Sequence, residues 1–468
     1  MKIRIFILFT ALVFLYSCKP EVDDFNPTQG SADFSSFVVV GNSLSAGFAD
    51  GALYKSGQEN SFANILAQQL THVGNSGDFN IPYIDTEDGV YPNLTSQGIY
   101  FSTKLVVGYA TDCLGTTSLS PVPAIQNPNQ QELLQQLTTS VADQGPFNNV
   151  AVPGIKVAHL FAQGLGALNP YYGRFASNPL TDRLIDEPAK VNPTFFSFWL
   201  GSNDVLDYAG TGGVNAITPL DGPVGVGFEA TYNAALQTMV ATAGKGVIIN
   251  IPDILSSPYF KTIPYNAIVL TEQVQVDQLN TAYAPYNIAM ETYGLPYRIN
   301  FQLGPNPMII FDVDMPLPPE FEQFKFRQIT ENELVLLTLP QDSLKCAQWG
   351  TAKPVPHQYV LTEKEVAVVR NTMNAFNSVI KKAADEYDLA FLDVYSIIKK
   401  AANQGIAADG ITFTSAFITG NTFSLDGLHL TPQASAMVAN YVIEAVNQKY
   451  NSSIPMVNVT EYSPIVLP

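Results

Sequence analysis

The sequence predicts an α/β fold: a three-layer α/β/α sandwich around a central parallel sheet, carrying long insertions. Three observations lead there. Short apolar runs recur at 37–40, 150–152, 194–200, 246–250 and 389–393, and they end in Gly, Pro, Asn or Asp. Segments of helical periodicity lie between them, an alternation that implies right-handed crossovers and parallel strands. Two stretches, 74–145 and 254–360, interrupt the alternation and are rich in turn-forming residues.

The first strand is Phe37 to Val40, ending at Gly41; an unbroken apolar run of this length suits a strand buried on both faces. A helix follows at about 60–72, with Ser61 placed to cap it and Phe62, Ile65, Leu66 and Leu70 on one side. Residues 74–145 read as an insertion with a helix at 130–141. Val150–Val152 reads as the second strand and 155–165 as the helix after it. Thr194–Leu200 is the third strand, with the aromatic run 195–199, including Trp199, assigned to the core. A helix at 228–243 leads to the fourth strand at 246–250. Residues 254–360 read as a partly β insertion with one helix at 273–292. The alternation resumes with a helix at 362–386, where Thr362 and Glu365 form a capping box, and a fifth strand at 389–393. Thr431 and Pro432 begin the last helix, through Val446.

Composition narrows the function classes. The chain has 468 residues, 46% hydrophobic and 14% charged, a balance that supports a large core. The formal net charge of -18 repels phosphate backbones, so no nucleic-acid partner is expected. Neither a phosphate-cradling glycine loop nor a metal-ligand spacing occurs, so no cofactor and no metal are expected.

The N-terminus reads as an export signal over residues 1–17: Lys2 and Arg4 precede an apolar stretch from Ile5 to Tyr16, too short to span a bilayer. Cys18 follows where cleavage is expected. Leu15-Tyr-Ser-Cys18 resembles the lipobox of bacterial lipoproteins, in which that cysteine is acylated. The acidic segment after it resembles the surface-export signals of Bacteroidetes lipoproteins. The resemblance implies attachment to the outer membrane, on its periplasmic or outer face, only by a lipid on Cys18, and a monomer is expected. Residues 18–33 read as a flexible tether, 34–450 as the catalytic domain and 451–468 as a C-terminal tail. Cys113 and Cys346 remain open between one disulfide and two free thiols.

The candidate chemistry lies at strand ends, where open parallel sheets bind ligands. Ser43 follows the first strand, Gly154 the second and Asn203 the third, while Asp426-Gly-Leu-His429 precedes the last helix. Histidine is scarce, with four in the chain; His72, His159 and His357 lack a matching partner and are assigned structural or surface roles. A serine hydroxyl becomes nucleophilic when a base takes its proton. His429 is the candidate base, and Asp426 the acid that fixes its tautomer. The backbone N–H groups of Ser43 and Gly154 and the side-chain amide of Asn203 are the candidate oxyanion donors. Asp204 is read as bonding its own turn, and Asp253 and Asp393 as turn or capping carboxylates.

Gly41-Asn-Ser43-Leu-Ser45, Asn149-Val-Ala-Val-Pro-Gly154, Gly201-Ser-Asn203-Asp204 and Asp426-Gly-Leu-His429 resemble, in order, the blocks of the SGNH (GDSL) hydrolases. That family usually has Asp where this chain has Asn42. The resemblance implies a flavodoxin-like SGNH fold and a serine esterase that cleaves carboxylic esters through an acyl-serine, with a small-molecule, glycan or lipid ester as substrate. An acyltransferase to a glycan hydroxyl uses the same residues, and a catalytically silent surface glycan- or lipid-binding protein is the reading from another class.

Overall fold

The computed structural model describes residues 26–95 and 98–468. The expected signal at 1–17, Cys18 and the start of the tether lie outside the described residues.

Four parallel strands form the central sheet: β1 (Phe37–Gly41), β2 (Phe195–Trp199), β3 (Lys245–Ile249) and β4 (Ala390–Leu392), in that spatial order. The expected strand at 150–152 is a correction. It runs parallel to β1 as an edge segment with a single bridge, Val39 to Asn149. Val150 and Val152 donate to the carbonyls of Val39 and Gly41, and Pro153, which has no N–H to give, ends the pairing. With this edge included, the segments lie in the order 2-1-3-4-5. Such a sheet changes direction between the first and third segments, and its ligand crevice opens there.

The strands are almost wholly apolar, Ser197 and the first residue of β3, Lys245, excepted, because both faces are covered. Alternate side chains point to opposite sides. Val38, Val40, Phe196, Phe198 and Ile248 pack with helices Phe228–Ala243 and Glu363–Glu386, where Phe228 stacks on Phe376 at 3.7 Å between centroids. Phe37, Val39, Trp199, Val247 and Ile249 pack with helices Phe62–Leu70 and Pro432–Tyr450. Each such fully buried side chain contributes about 1.5–3 kcal/mol relative to exposure. Start signals operate as the sequence implies: Thr431 Oγ1 caps Ala434 N–H at 3.0 Å, and Glu365 accepts the Thr362 N–H at 2.7 Å.

The first inserted stretch contains two antiparallel hairpins, Tyr91–Thr95 with Gly98–Ser102 and Leu105–Thr111 with Thr117–Pro123, then a helix at Gln130–Thr138. The second builds its own apolar cluster around Ile309, Ile310, Val335 and Val355, with a helix at Gln273–Thr292. A disulfide joins Cys113 of the first stretch to Cys346 of the second, supported by a Lys345–Asp112 ion pair at 2.8 Å. The tail follows the last helix, where Asn440 and Asn447 bond the backbone of Val457 and Ile454.

Candidate active site

Ser43 sits in a tight strand-to-helix turn. β1 ends at Gly41, where a Cβ would stand 2.1 Å from Ser45 Oγ, so the turn admits only glycine. Asn42 is the N-cap of the short helix Ser43–Ala46, its side-chain oxygen accepting the Leu44 N–H at 3.0 Å. The amide oxygen supplies the acceptor that an Asp carboxylate would give. Its Nδ2 is buried without a partner among the described residues.

The turn at Asp426–His429 approaches Ser43 across 386 residues of sequence, bringing His429 Nε2 to 2.9 Å from Ser43 Oγ. On the other edge of the ring, Nδ1 lies 2.8 Å from Asp426 Oδ2. With the proton on Nδ1 held by the carboxylate, Nε2 is left as acceptor for the serine O–H. Phe48 covers the imidazole at 4.6 Å between centroids.

The Asp426 carboxylate is saturated with donors. Oδ1 accepts from Ser424 Oγ (3.2 Å), Leu428 N–H (2.8 Å) and His429 N–H (2.8 Å). Oδ2 accepts from Gly51 N–H (2.9 Å) besides the ring. Burial alone would raise this carboxyl, but the adjoining His429 charge and these hydrogen bonds outweigh it and hold it well below the usual carboxylate range.

Three groups face the same space beside Ser43. Gly154 adopts φ +79, a left-handed conformation that favours glycine, and its Cα opens onto empty space. Neither the Ser43 nor the Gly154 N–H donates to a backbone carbonyl among the described residues. Asn203, in the helix Ser202–Ala209, donates one Nδ2 hydrogen to the Ile155 carbonyl at 2.9 Å. Its second hydrogen remains available to the cleft, which Ser43, Gly154, Asn203 and His429 all line.

The helix expected at 155–165 is absent, a second correction; a 3-10 turn spans Val157–Phe161. Its backbone is engaged elsewhere: Asn203 takes the Ile155 carbonyl, Asp204 Oδ2 accepts the Val157 N–H at 3.0 Å, and His159 Nδ1 accepts the Lys156 N–H at 3.1 Å. Asp204 thus reaches across to the Gly154 loop rather than serving only its own turn, and burial pushes its carboxyl up to about 7. His357 pairs with Glu365 at 3.0 Å, and His72 is exposed. Asp253 bonds Ser256, and Asp393 caps Ser396.

Sequence reasoning missed the supports of this site. Asp50, at φ +52, accepts from Leu425 N–H (3.0 Å) and Tyr54 Oη (2.7 Å) and donates its own N–H to Ser424 Oγ (2.9 Å). Tyr259 donates its N–H to the Gly427 carbonyl at 2.9 Å. No local pattern marks these residues, because each acts on a loop more than 160 positions away. Among the described residues, no cluster of His, Cys, Asp and Glu is arranged to hold a metal ion, and no helix is long and apolar enough to cross a membrane.

No family model matches the chain. No curated protein matches it either. Among solved structures, it is similar to one described as the crystal structure of LAE5, an alpha/beta hydrolase enzyme from the metagenome of Lake Arreo, Spain, at 9% identity and a TM-score of 0.34, over 89% of this chain and 96% of that one. The functional reading is carried by the side chains at the cleft.

Proposed function

We propose that this chain is a serine esterase of the SGNH (GDSL) type, a three-layer flavodoxin-like α/β/α sandwich at residues 34–450, exported and anchored to the outer membrane through a lipid on Cys18. The observation that carries the catalytic part is one imidazole, that of His429, held between Ser43 Oγ at 2.9 Å and Asp426 Oδ2 at 2.8 Å.

In this reading Ser43 Oγ attacks the ester carbonyl while His429 Nε2 takes the hydroxyl proton. The carbonyl oxygen gains negative charge and meets the N–H groups of Ser43 and Gly154 and the second Nδ2 hydrogen of Asn203, each such donor being worth about 3–4 kcal/mol in the transition state. The tetrahedral intermediate collapses: the ester C–O bond breaks, and the imidazolium gives its proton to the departing alcohol. Water then repeats the sequence on the acyl-serine, releasing the acid. Asp426 stays ionised throughout and stabilises the imidazolium.

Turnover of nitrophenyl butyrate by the purified protein and by Ser43→Ala tests the proposal. The expected result is hydrolysis by the parent and a loss of about 10³-fold or more in the variant. Equal turnover by the two proteins would contradict it.

A further inference from the structure

The cleft beside Ser43 has a volume of about 830 Å³, more room than an acetyl group needs and within the ordinary range of small-molecule sites. Its walls are contributed by both inserted stretches: Tyr91 and Leu105 from the first, Tyr259, Ile263 and Leu337 from the second. They stand close to the reacting groups. A Cβ on Gly51, which bonds Asp426, would lie 3.7 Å from Leu105, and one on Gly427 would lie 2.9 Å from Leu337.

Three of the polar side chains in these walls are already engaged, while Ser120 and Tyr91 line the cleft without a side-chain hydrogen bond among the described residues. Tyr259 Oη donates to the Gly210 carbonyl (3.2 Å), Thr262 Oγ1 to Pro258 (2.7 Å) and Gln341 Nε2 to Leu339 (3.2 Å). Apart from the tyrosines, the ionisable groups lining the cleft are Asp426 and His429 themselves. Sugar hydroxyls or a charged acyl group would leave water for few partners, whereas an alkyl chain loses nothing and gains burial.

The apolar surface also continues outward. Leu105 lines the cleft, and Val107 and Tyr109 share its face of the strand by the two-residue period. Pro121 and Leu119 lie directly opposite Val107 and Tyr109 on the partner strand. Val107 is buried at 8% exposure, whereas Tyr109 is 71% and Leu119 46% exposed, so the apolar residues of this hairpin pass from the cleft wall at Leu105 and Pro121 to open solvent at its outer end. Leu105 and Tyr109 are separated by roughly 13 Å at the usual rise of a strand. The hairpin is pinned near its tip to the opposite wall by the Cys113–Cys346 disulfide.

Building on the esterase reading, we infer that the substrate is an ester of a long, unbranched apolar acyl chain. That chain lies in the cleft between the two inserted walls and emerges past Leu105 and Pro121 toward the exposed pair Tyr109 and Leu119 of the hairpin. An acetylated glycan is the excluded alternative.

The test is a series of nitrophenyl esters, acetate, butyrate and decanoate, kept monomeric in solution. The parent and a Tyr109→Ser/Leu119→Ser variant are compared, with fluorophosphonate labelling of Ser43 run in parallel. The parent is expected to favour decanoate over acetate in kcat/KM by about 100-fold, and the double substitution to lower the decanoate-to-butyrate ratio by about tenfold. Preference for acetate, or a ratio unmoved by the double substitution, overturns the inference while the esterase reading stands so long as Ser43 labels. Absence of both labelling and hydrolysis overturns the two together.

Discussion

The backbone N–H of Gly51 donates to Oδ2 of Asp426 at 2.9 Å across 375 residues of sequence, on the same oxygen that receives the His429 ring. The segment that follows Ser43 thereby fixes the carboxylate that holds the His429 ring. Ser43, Asp426 and His429 come from two loops, and the Gly51 bond with the Asp50–Ser424 bond ties those loops into one unit.

Asp426→Asn tests what the carboxylate contributes. Its five donors leave no place for an amide NH2. If the amide oxygen keeps the Ser424, Leu428 and His429 N–H bonds, the NH2 faces both the Gly51 N–H and the imidazole. The ring then turns to the wrong tautomer, and kcat is expected to fall on the order of 10⁴-fold in steady-state assays. Stability follows a definite sign. The carboxyl of Asp426 titrates lower in the folded protein than in the unfolded chain, so its contribution is present above about pH 4 and is lost as the pH falls further. Urea unfolding at pH 7 and pH 3 should show the variant losing less than the parent on acidification.

Asp204 has the opposite dependence. Burial pushes its folded carboxyl up to about 7, well above the ordinary carboxylate range of the unfolded chain. Between that range and pH 7 the folded state therefore holds a proton that the unfolded chain has released. This contribution is full below about pH 4 and is lost as the pH rises to 7, with a slope of at most about 1.4 kcal/mol per pH unit. Asp204→Asn retains an acceptor for the Val157 N–H and removes the titration. Its unfolding free energy relative to the parent should rise between pH 5 and pH 8; a constant difference would refute the assignment.

The disulfide makes a local prediction. Cys113→Ser/Cys346→Ser leaves the hairpin tip held to the second inserted stretch by the Lys345–Asp112 ion pair and the Cys113 N–H bond to Asp342, and exposed ion pairs contribute only about 0–1 kcal/mol. Stability is expected to fall by about 2–4 kcal/mol. Limited proteolysis should cut first within Leu105–Pro123, and cleavage confined to other regions would count against the clamp.

How much of this was legible in the sequence depends on the range of the forces involved. β1 to β4 declared themselves because a strand covered on both faces is apolar at nearly every position, as Phe195 to Trp199 shows with Ser197 its one polar residue. Helices with capped ends, such as the one opened by Thr431 and Pro432, were equally plain. The Ser43, Gly154, Asn203, Asp426 and His429 positions stood out because their residue types recur at strand ends and loop starts. The segment at 155–165 misled, since Asn203, Asp204 and His159 take backbone groups that a helix would use, and none of that competition is local. The hairpin Leu105–Pro123 stayed hidden because Tyr109 and Leu119 are apolar yet exposed, which erases the inside–outside alternation of an ordinary surface strand. The helix Val394–Gln404 was passed over although Asp393 marks its start. Asp50, Gly51 and Tyr259 could not be found at all, because their roles exist only once distant loops meet.

The central claim is that Ser43 is a nucleophile activated by His429. The most direct measurement is intact-mass and peptide analysis after reaction with a fluorophosphonate, on the parent, Ser43→Ala and His429→Ala. The account predicts a single adduct on the peptide carrying Ser43 in the parent, none in Ser43→Ala, and labelling slowed by at least about 10³-fold in His429→Ala. An adduct that persists in Ser43→Ala, or labelling of Ser43 at an unchanged rate without the imidazole, would contradict it.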